Sequence, residues 1–284
     1  VSTIKVVFIC FLFTFLSSEL AAQDDNQWRT PNSKDLVYLQ TDKGLVIIEL
    51  ASFMAPKHAK RFENLVNEGF YDGLDFYRVI DGFVAQGGDM SGEKSSKFKS
   101  PLKAEFTRSA PEKSNFQLEQ SPDFMAPQTG FLYGFPAGHD PETKEEWLLH
   151  CPGTVAMARS SEKDSATTDF YIVVGQATRH LDRNMSTFGK VIFGMPVIQS
   201  LSRASINVAS GVIEDESSRS KILWAKMANN VPGEQRINVQ VLKQNSEAAQ
   251  NRLKSARKLD NEFFHFKGNG NLDMCYYQLK TRTL

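Results

Sequence analysis

The stretch Phe76-Tyr77-Arg78-Val79-Ile80-Asp81-Gly82-Phe83-Val84-Ala85-Gln86-Gly87-Gly88-Asp89 decides how the rest of this chain is read. Two runs with strand-like spacing, Phe76 to Ile80 and Phe83 to Gln86, flank Asp81-Gly82, and Gly87-Gly88-Asp89 closes them with a tight turn. An arginine set mid-strand among apolar neighbours costs desolvation, so Arg78 is expected to have a purpose. The glycine pair reads as a backbone requirement and not as a phosphate loop, because no lysine-serine pair follows it.

Working outward, short apolar runs recur. Leu36 to Gln40 and Leu45 to Leu50 are joined by Thr41-Asp42-Lys43-Gly44, a hairpin signal in which glycine supplies the positive φ. Pro56 sits where a first helical residue is tolerated; Ala59, Phe62, Leu65 and Val66 follow at helical spacing, and Gly69 supplies the stop. Downstream, Val155 to Ala158, Phe170 to Val174 and Thr187 to Ile192 read as strands, Pro196 to Leu201 as a second short helix, and Ile237 to Leu242 as a final strand. Many short strands with two helices fit a mainly β fold, a closed antiparallel barrel capped at its ends.

Between Glu93 and Cys151 the pattern breaks. Pro101, Pro111, Pro122, Pro127, Pro136 and Pro141 argue against long regular elements, so the stretch reads as a long ordered insertion or loop, centred on residues 106–150. Its aromatics, among them Phe116, Phe131, Phe135 and Trp147, imply that it packs down. After residue 245, Ser246 to Asp260 is polar and helix-forming. Glu262 to Leu284 carries Phe263, Phe264, Phe266, Tyr276 and Tyr277, an aromatic content that argues for docking onto the domain.

The first residues read apart from the fold. Lys5, the apolar run Val6 to Leu16 and the small residues up to Ala22 have the order of a secretory signal peptide over residues 1–22, followed by a flexible leader over 23–35. An uncleaved anchor is the competing reading, but the run falls short of the ~20 residues a span needs. In an exported chain Cys151 and Cys275 could pair or remain buried thiols. Length 284 permits one generous domain or two small ones, and 33 basic against 33 acidic residues argues against a nucleic-acid partner. The five histidines show no ligand spacing, so no metal is expected; His150-Cys151 could suggest a thiol nucleophile, but Pro152 and the strand after it fit a structural cysteine better.

The opening stretch closely resembles the signature of the cyclophilin-type peptidyl-prolyl isomerases, in the form met in bacteria. Three further blocks follow in the family's order: Gly153-Thr154-Val155-Ala156-Met157-Ala158-Arg159, Asp169-Phe170-Tyr171-Ile172, and Phe188-Gly189-Lys190-Val191-Ile192-Phe193-Gly194-Met195. The resemblance spans Leu36 to Leu242, interrupted by the insertion, within a domain over residues 36–245; the extension 246–284 lies outside it. It implies an eight-stranded barrel and an enzyme that isomerises Xaa-Pro bonds in unfolded or extended polypeptides, with no cofactor. The leader peptide adds export, to the periplasm of a bacterium, and the chain is read as a monomer.

The resemblance also implies roles. Arg78 takes the place of the catalytic arginine, Gln86 of the polar residue orienting it, and Phe83 of the pocket aromatic. Val84, Ala158, Arg159, Asp169, Tyr171, Leu181 and Met185 fall on substrate-binding positions. Tyr77 replaces a common histidine and Asp169 the usual glutamine; Asp169 could pair with Arg159 or Arg78 and mute the charge that catalysis needs. That possibility keeps a non-catalytic proline-peptide-binding module as the alternative. His180 and Met185 replace a tryptophan and a histidine, which implies weak binding of cyclosporin-like drugs. The insertion, lying between the groove-lining blocks, is expected to narrow or extend client choice.

Overall fold

The computed structural model describes residues 26–176 and 178–284, so the expected signal peptide lies outside the described residues. Eight antiparallel strands close a barrel: β2 (Leu36–Thr41), β3 (Gly44–Leu50), β4 (Asp75–Val79), β5 (Val84–Gly88), β11 (Thr154–Met157), β12 (Phe170–Val173), β13 (Thr187–Phe193) and β14 (Ser220–Met227). Around the barrel the order is β11-β12-β5-β4-β14-β2-β3-β13, with β13 returning to β11. The β2–β3 hairpin turns at Gly44, whose φ of 140° few other residues adopt.

Period-two alternation divides each strand between two environments. Val37, Leu39, Val46, Ile48, Val155, Met157, Phe170 and Ile172 fill the barrel's core. Their neighbours Ala156, Tyr171 and Val173 face the other way, into a small separate cluster. Helix α1 (Pro56–Asn67) lays Ala59, Phe62, Leu65 and Val66 against the barrel core, and the short α2 (Met195–Gln199) adds Ile198.

Residues 93–151 differ from the loop expected of them. Five short strands, β6 (Arg108–Ser109), β7 (Phe116–Gln120), β8 (Gln128–Leu132), β9 (Phe135–Asp140) and β10 (Glu145–Leu148), form an antiparallel sheet in the order β6-β10-β9-β8-β7. The prolines punctuate this sheet: Pro111, Pro122, Pro127 and Pro141 fall between strands, and Pro136 alone sits inside one. Phe131, Phe135 and Trp147 of the sheet meet Tyr38, Ile47 and Ile192 of the barrel in a second core.

Both ends of the described chain, from residue 26 and up to residue 284, join that second core. The expected leader is tied down from residue 26: β1 (Trp28–Arg29) pairs with β15 (Val239–Leu242), which pairs in turn with β16 (Thr281–Thr283). The strand expected as the last of the barrel therefore belongs to this separate three-stranded sheet, and β14 takes its place in the barrel. Helix α3 (Glu247–Lys258) opens on Ser246, whose hydroxyl accepts from the Ala249 N–H, and buries Ala249 and Leu253. The last segment docks, though mostly not by its aromatics. Leu272, Met274, Cys275 and Leu279 are buried, whereas Phe263 and Phe266 are 82% and 93% exposed. Cys151 and Cys275 form a disulfide, which joins the extension to the start of β11.

Candidate active site

Arg78 on β4 stands opposite Gln86 on β5, and the register of this pair shifts between Asp75 and Arg78. Such an irregularity lets successive side chains work on one face; Tyr77 and Arg78 both reach Gln86. Nη1 of Arg78 donates to Oε1 of Gln86 at 3.3 Å, and Nε2 of Gln86 donates to the Tyr77 hydroxyl at 2.6 Å. The Tyr77 hydroxyl donates onward to Oδ2 of Asp169 at 2.6 Å, and the Asp89 N–H donates to Oδ1 at 3.0 Å. Gly88 makes room for this carboxylate: a Cβ there would lie 2.4 Å from Oδ1 of Asp169. Burial raises the Asp169 carboxyl above its ordinary value, against the opposing pull of these donors. Burial and the nearby Asp169 also push the Tyr77 phenol up, so it remains a proton donor.

Asp169 therefore spends its oxygens on Tyr77, Asp89 and the Thr168 hydroxyl, and forms no ion pair with Arg78 or Arg159 among the described residues. The anticipated muting of Arg78 is corrected by this geometry. Nε of Arg78 donates to the Ser210 carbonyl at 2.8 Å, and Cζ lies 5.9 Å from the centre of the Phe83 ring. Ser210 was not foreseen; it lies in the segment between α2 and β14, whose Gly211 carbonyl accepts from the Val79 N–H. Arg78 thus offers a braced guanidinium with its charge uncompensated by any carboxylate among the described residues.

Beside Arg78 lies the separate apolar cluster. Val84, Ala156, Tyr171 and Val173 form its buried part, and Phe83, Ala158, Leu181 and Met185 pack against them half-exposed. Strands β5, β11 and β12 thereby meet the turn carrying Leu181 and Met185. Six residues singled out in the sequence converge here, from positions a hundred residues apart. His180 stacks parallel to Phe83, with ring centres 5.9 Å apart and 7° between planes. Arg159 stands aside: its guanidinium donates to the carbonyls of Asn184, Ser160 and Ser161, and stacks over Phe106 at 5.4 Å. Asp169 contributes to the hydrogen-bonded chain under Gly88, not to the apolar cluster. His150, passed over in the sequence except as a neighbour of Cys151, has Nε2 2.9 Å from the Tyr171 hydroxyl. With Cys151 in a disulfide, the thiol-nucleophile reading falls. Among the described residues no group of three or more His, Cys, Asp or Glu side chains could hold a metal.

A family model described as cyclophilin type peptidyl-prolyl cis-trans isomerase/CLD matches residues 36–223. The chain belongs to the cyclophilins. Peptidyl-prolyl cis-trans isomerase A of Dickeya dadantii is 32% identical over 171 residues, 59% of this chain and 70% of that protein. A peptidyl-prolyl cis-trans isomerase of Acinetobacter baylyi is 33% identical over 172 residues, 58% of this chain and 71% of the relative. Among solved structures, cyclophilin AquaCyp293 from Hirschia baltica superposes with a TM-score of 0.74 at 27% identity, covering 93% of this chain and 96% of its own. That likeness runs well beyond the family match, so this cyclophilin shares with it more than the barrel alone.

Proposed function

We propose that this cyclophilin accelerates Xaa-Pro isomerisation in extended or unfolded polypeptides while exported proteins fold, with Arg78 as the catalytic donor. The single observation that carries the assignment is the pairing of a braced, charge-uncompensated guanidinium with an apolar pocket at its edge. Rotation about the prolyl amide faces a barrier of ~18–20 kcal/mol because resonance is lost on the way. A twisted amide needs a donor to its pyramidal nitrogen or its carbonyl and a grip on the proline ring, and neither a nucleophile nor a metal. Arg78 supplies the donor, Gln86 aligns it, and Phe83, Val84, Ala158, Tyr171, Leu181 and Met185 supply the grip. His180 and Met185 at the rim favour weak binding of cyclosporin-like drugs.

The test is turnover of a short Ala-Pro peptide by the protein lacking residues 1–22. Arg78→Ala is expected to lower kcat/KM by about 10²–10³, the usual loss for one preorganised donor. Arg78→Lys is expected to recover little, because a point charge does not reproduce the planar fork. Parental turnover in Arg78→Ala would refute the assignment. Export is supported by the order of residues 1–22 and by the disulfide, which suits an oxidising compartment such as the periplasm. Retention of a fused reporter in the cytoplasm would count against it.

A further inference from the structure

The apolar pocket has a polar back wall. The Tyr171 hydroxyl lies 2.9 Å from Nε2 of His150, whose side chain is wholly buried. On the far side of the ring, Nδ1 lies 3.0 Å from Oδ1 of Asp182, and the His150 backbone N–H donates to that same oxygen at 2.8 Å. The carboxylate can only accept, so in the neutral imidazole Nδ1 carries the proton and Nε2 accepts from the Tyr171 hydroxyl. Oδ2 of Asp182 accepts from Nε of Arg179 at 2.5 Å, and Nη2 of Arg179 donates to Oδ1 of Asp123 at 2.7 Å. Asp123 belongs to the turn between β7 and β8, inside the insertion. The side chains of Arg179, Asp123 and Asp182 are 4%, 2% and 7% exposed. In a polar chain this dry, where Arg179 keeps only Nη1 without a hydrogen-bond partner among the described residues, breaking any link strands a further buried group and one arrangement is held.

We propose that His150 is a positioning residue for the isomerase reaction. It fixes the Tyr171 hydroxyl away from the pocket, so that the ring presents hydrocarbon to the substrate proline, and the Asp182-Arg179-Asp123 chain makes the insertion the anchor of that wall. The inference rests on the reading of Tyr171 as part of the proline pocket. Without His150 the hydroxyl must find its partner elsewhere, at the pocket or through water, and the grip on proline weakens. That grip acts alike in ground and transition states, so its loss raises KM and spares kcat.

The experiment measures kcat and KM on an Ala-Pro peptide for the parent, His150→Ala, Tyr171→Phe, their double variant, Asp123→Asn and Tyr171→Ala. His150→Ala is expected to raise KM about five- to tenfold with kcat within about twofold. In the Tyr171→Phe background the same change should move KM by less than about twofold, because the hydroxyl it served is gone. Asp123→Asn, at the remote end, should raise KM about twofold to threefold, and carries the test if His150→Ala does not fold. An unchanged KM in Asp123→Asn and in folded His150→Ala, or an equal rise in both Tyr171 and Phe backgrounds, overturns the proposal. Tyr171→Ala separates the two levels. If it raises KM while His150→Ala and Asp123→Asn are silent, only the positioning role fails; if it keeps the parental KM, the pocket reading fails with it.

Discussion

At the scale of single residues, two of the departures from the family pattern, Tyr77 and Asp169, turn out to be partners. Their 2.6 Å hydrogen bond continues through Gln86 to Arg78, so the chain that orients the guanidinium ends on a half-buried carboxylate. Asp169→Ala would strand the Tyr77 hydroxyl and the Asp89 N–H, and is expected to cost ~1–3 kcal/mol in urea unfolding. Because the Asp169 carboxyl is raised in the fold, the folded chain holds its proton more tightly than the unfolded chain. That contribution to stability is full below the ordinary 3.8 and is lost as pH rises through the folded value. Asp169→Asn should remove this decline, which a pH series of unfolding midpoints would show. Arg78, Phe83 and Gln86 were legible because the residue types and their spacing recur as a motif. The Tyr77–Asp169 pair was not, because it depends on a register shift and on the missing Cβ of Gly88.

At the scale of elements, α1 begins on Ala55, which offers no capping side chain, and the cap arrives from 50 residues downstream. Glu105 accepts from the backbone N–H groups of Lys57 and His58 and from Nδ1 of the buried His58. Burial pushes the Glu105 carboxyl up, but these bonds from His58 and Lys57 outweigh it and hold it below 4.5. Its contribution to stability is therefore present above 4.5 and lost as pH falls through the folded value. Glu105→Ala is expected to cost ~1–3 kcal/mol through the lost cap and the unpaired imidazole. Glu105→Gln should flatten the acid limb, opposite in sign to the effect of Asp169→Asn. Boundaries of the barrel strands near the motif were readable to within a residue or two, whereas β14 was not. Its core residues Ile222 and Ala225 lie three apart across an irregular register, which destroys the period-two signal. The insertion's strands escaped because most are short and proline-bounded, with periodicity too brief to register.

At the scale of the molecule, two hydrophobic cores share the barrel wall, one inside it and one between it and the added sheets. Deleting the insertion would uncover Tyr38, Ile47 and Ile192, so point changes test its influence on client choice more cleanly than removal. The disulfide closes a loop of 124 residues. Replacing Cys151 and Cys275 by serine is expected to lower stability by ~2–5 kcal/mol, read as a fall in the urea midpoint that reductant reproduces in the parent. That the insertion packs down and the extension docks was readable from their aromatic content, whereas the pairing of Cys151 with Cys275 was not, because whether distant cysteines meet depends on where the extension docks. The central claim, that an unmuted Arg78 makes this cyclophilin a catalyst and not a holder of proline segments, is tested most directly by exchange spectroscopy. One measures cis–trans exchange of an Ala-Pro peptide with substoichiometric protein, beside Arg78→Ala. The account predicts rapid exchange with the parent and binding without exchange with the variant; binding without exchange in both would contradict it.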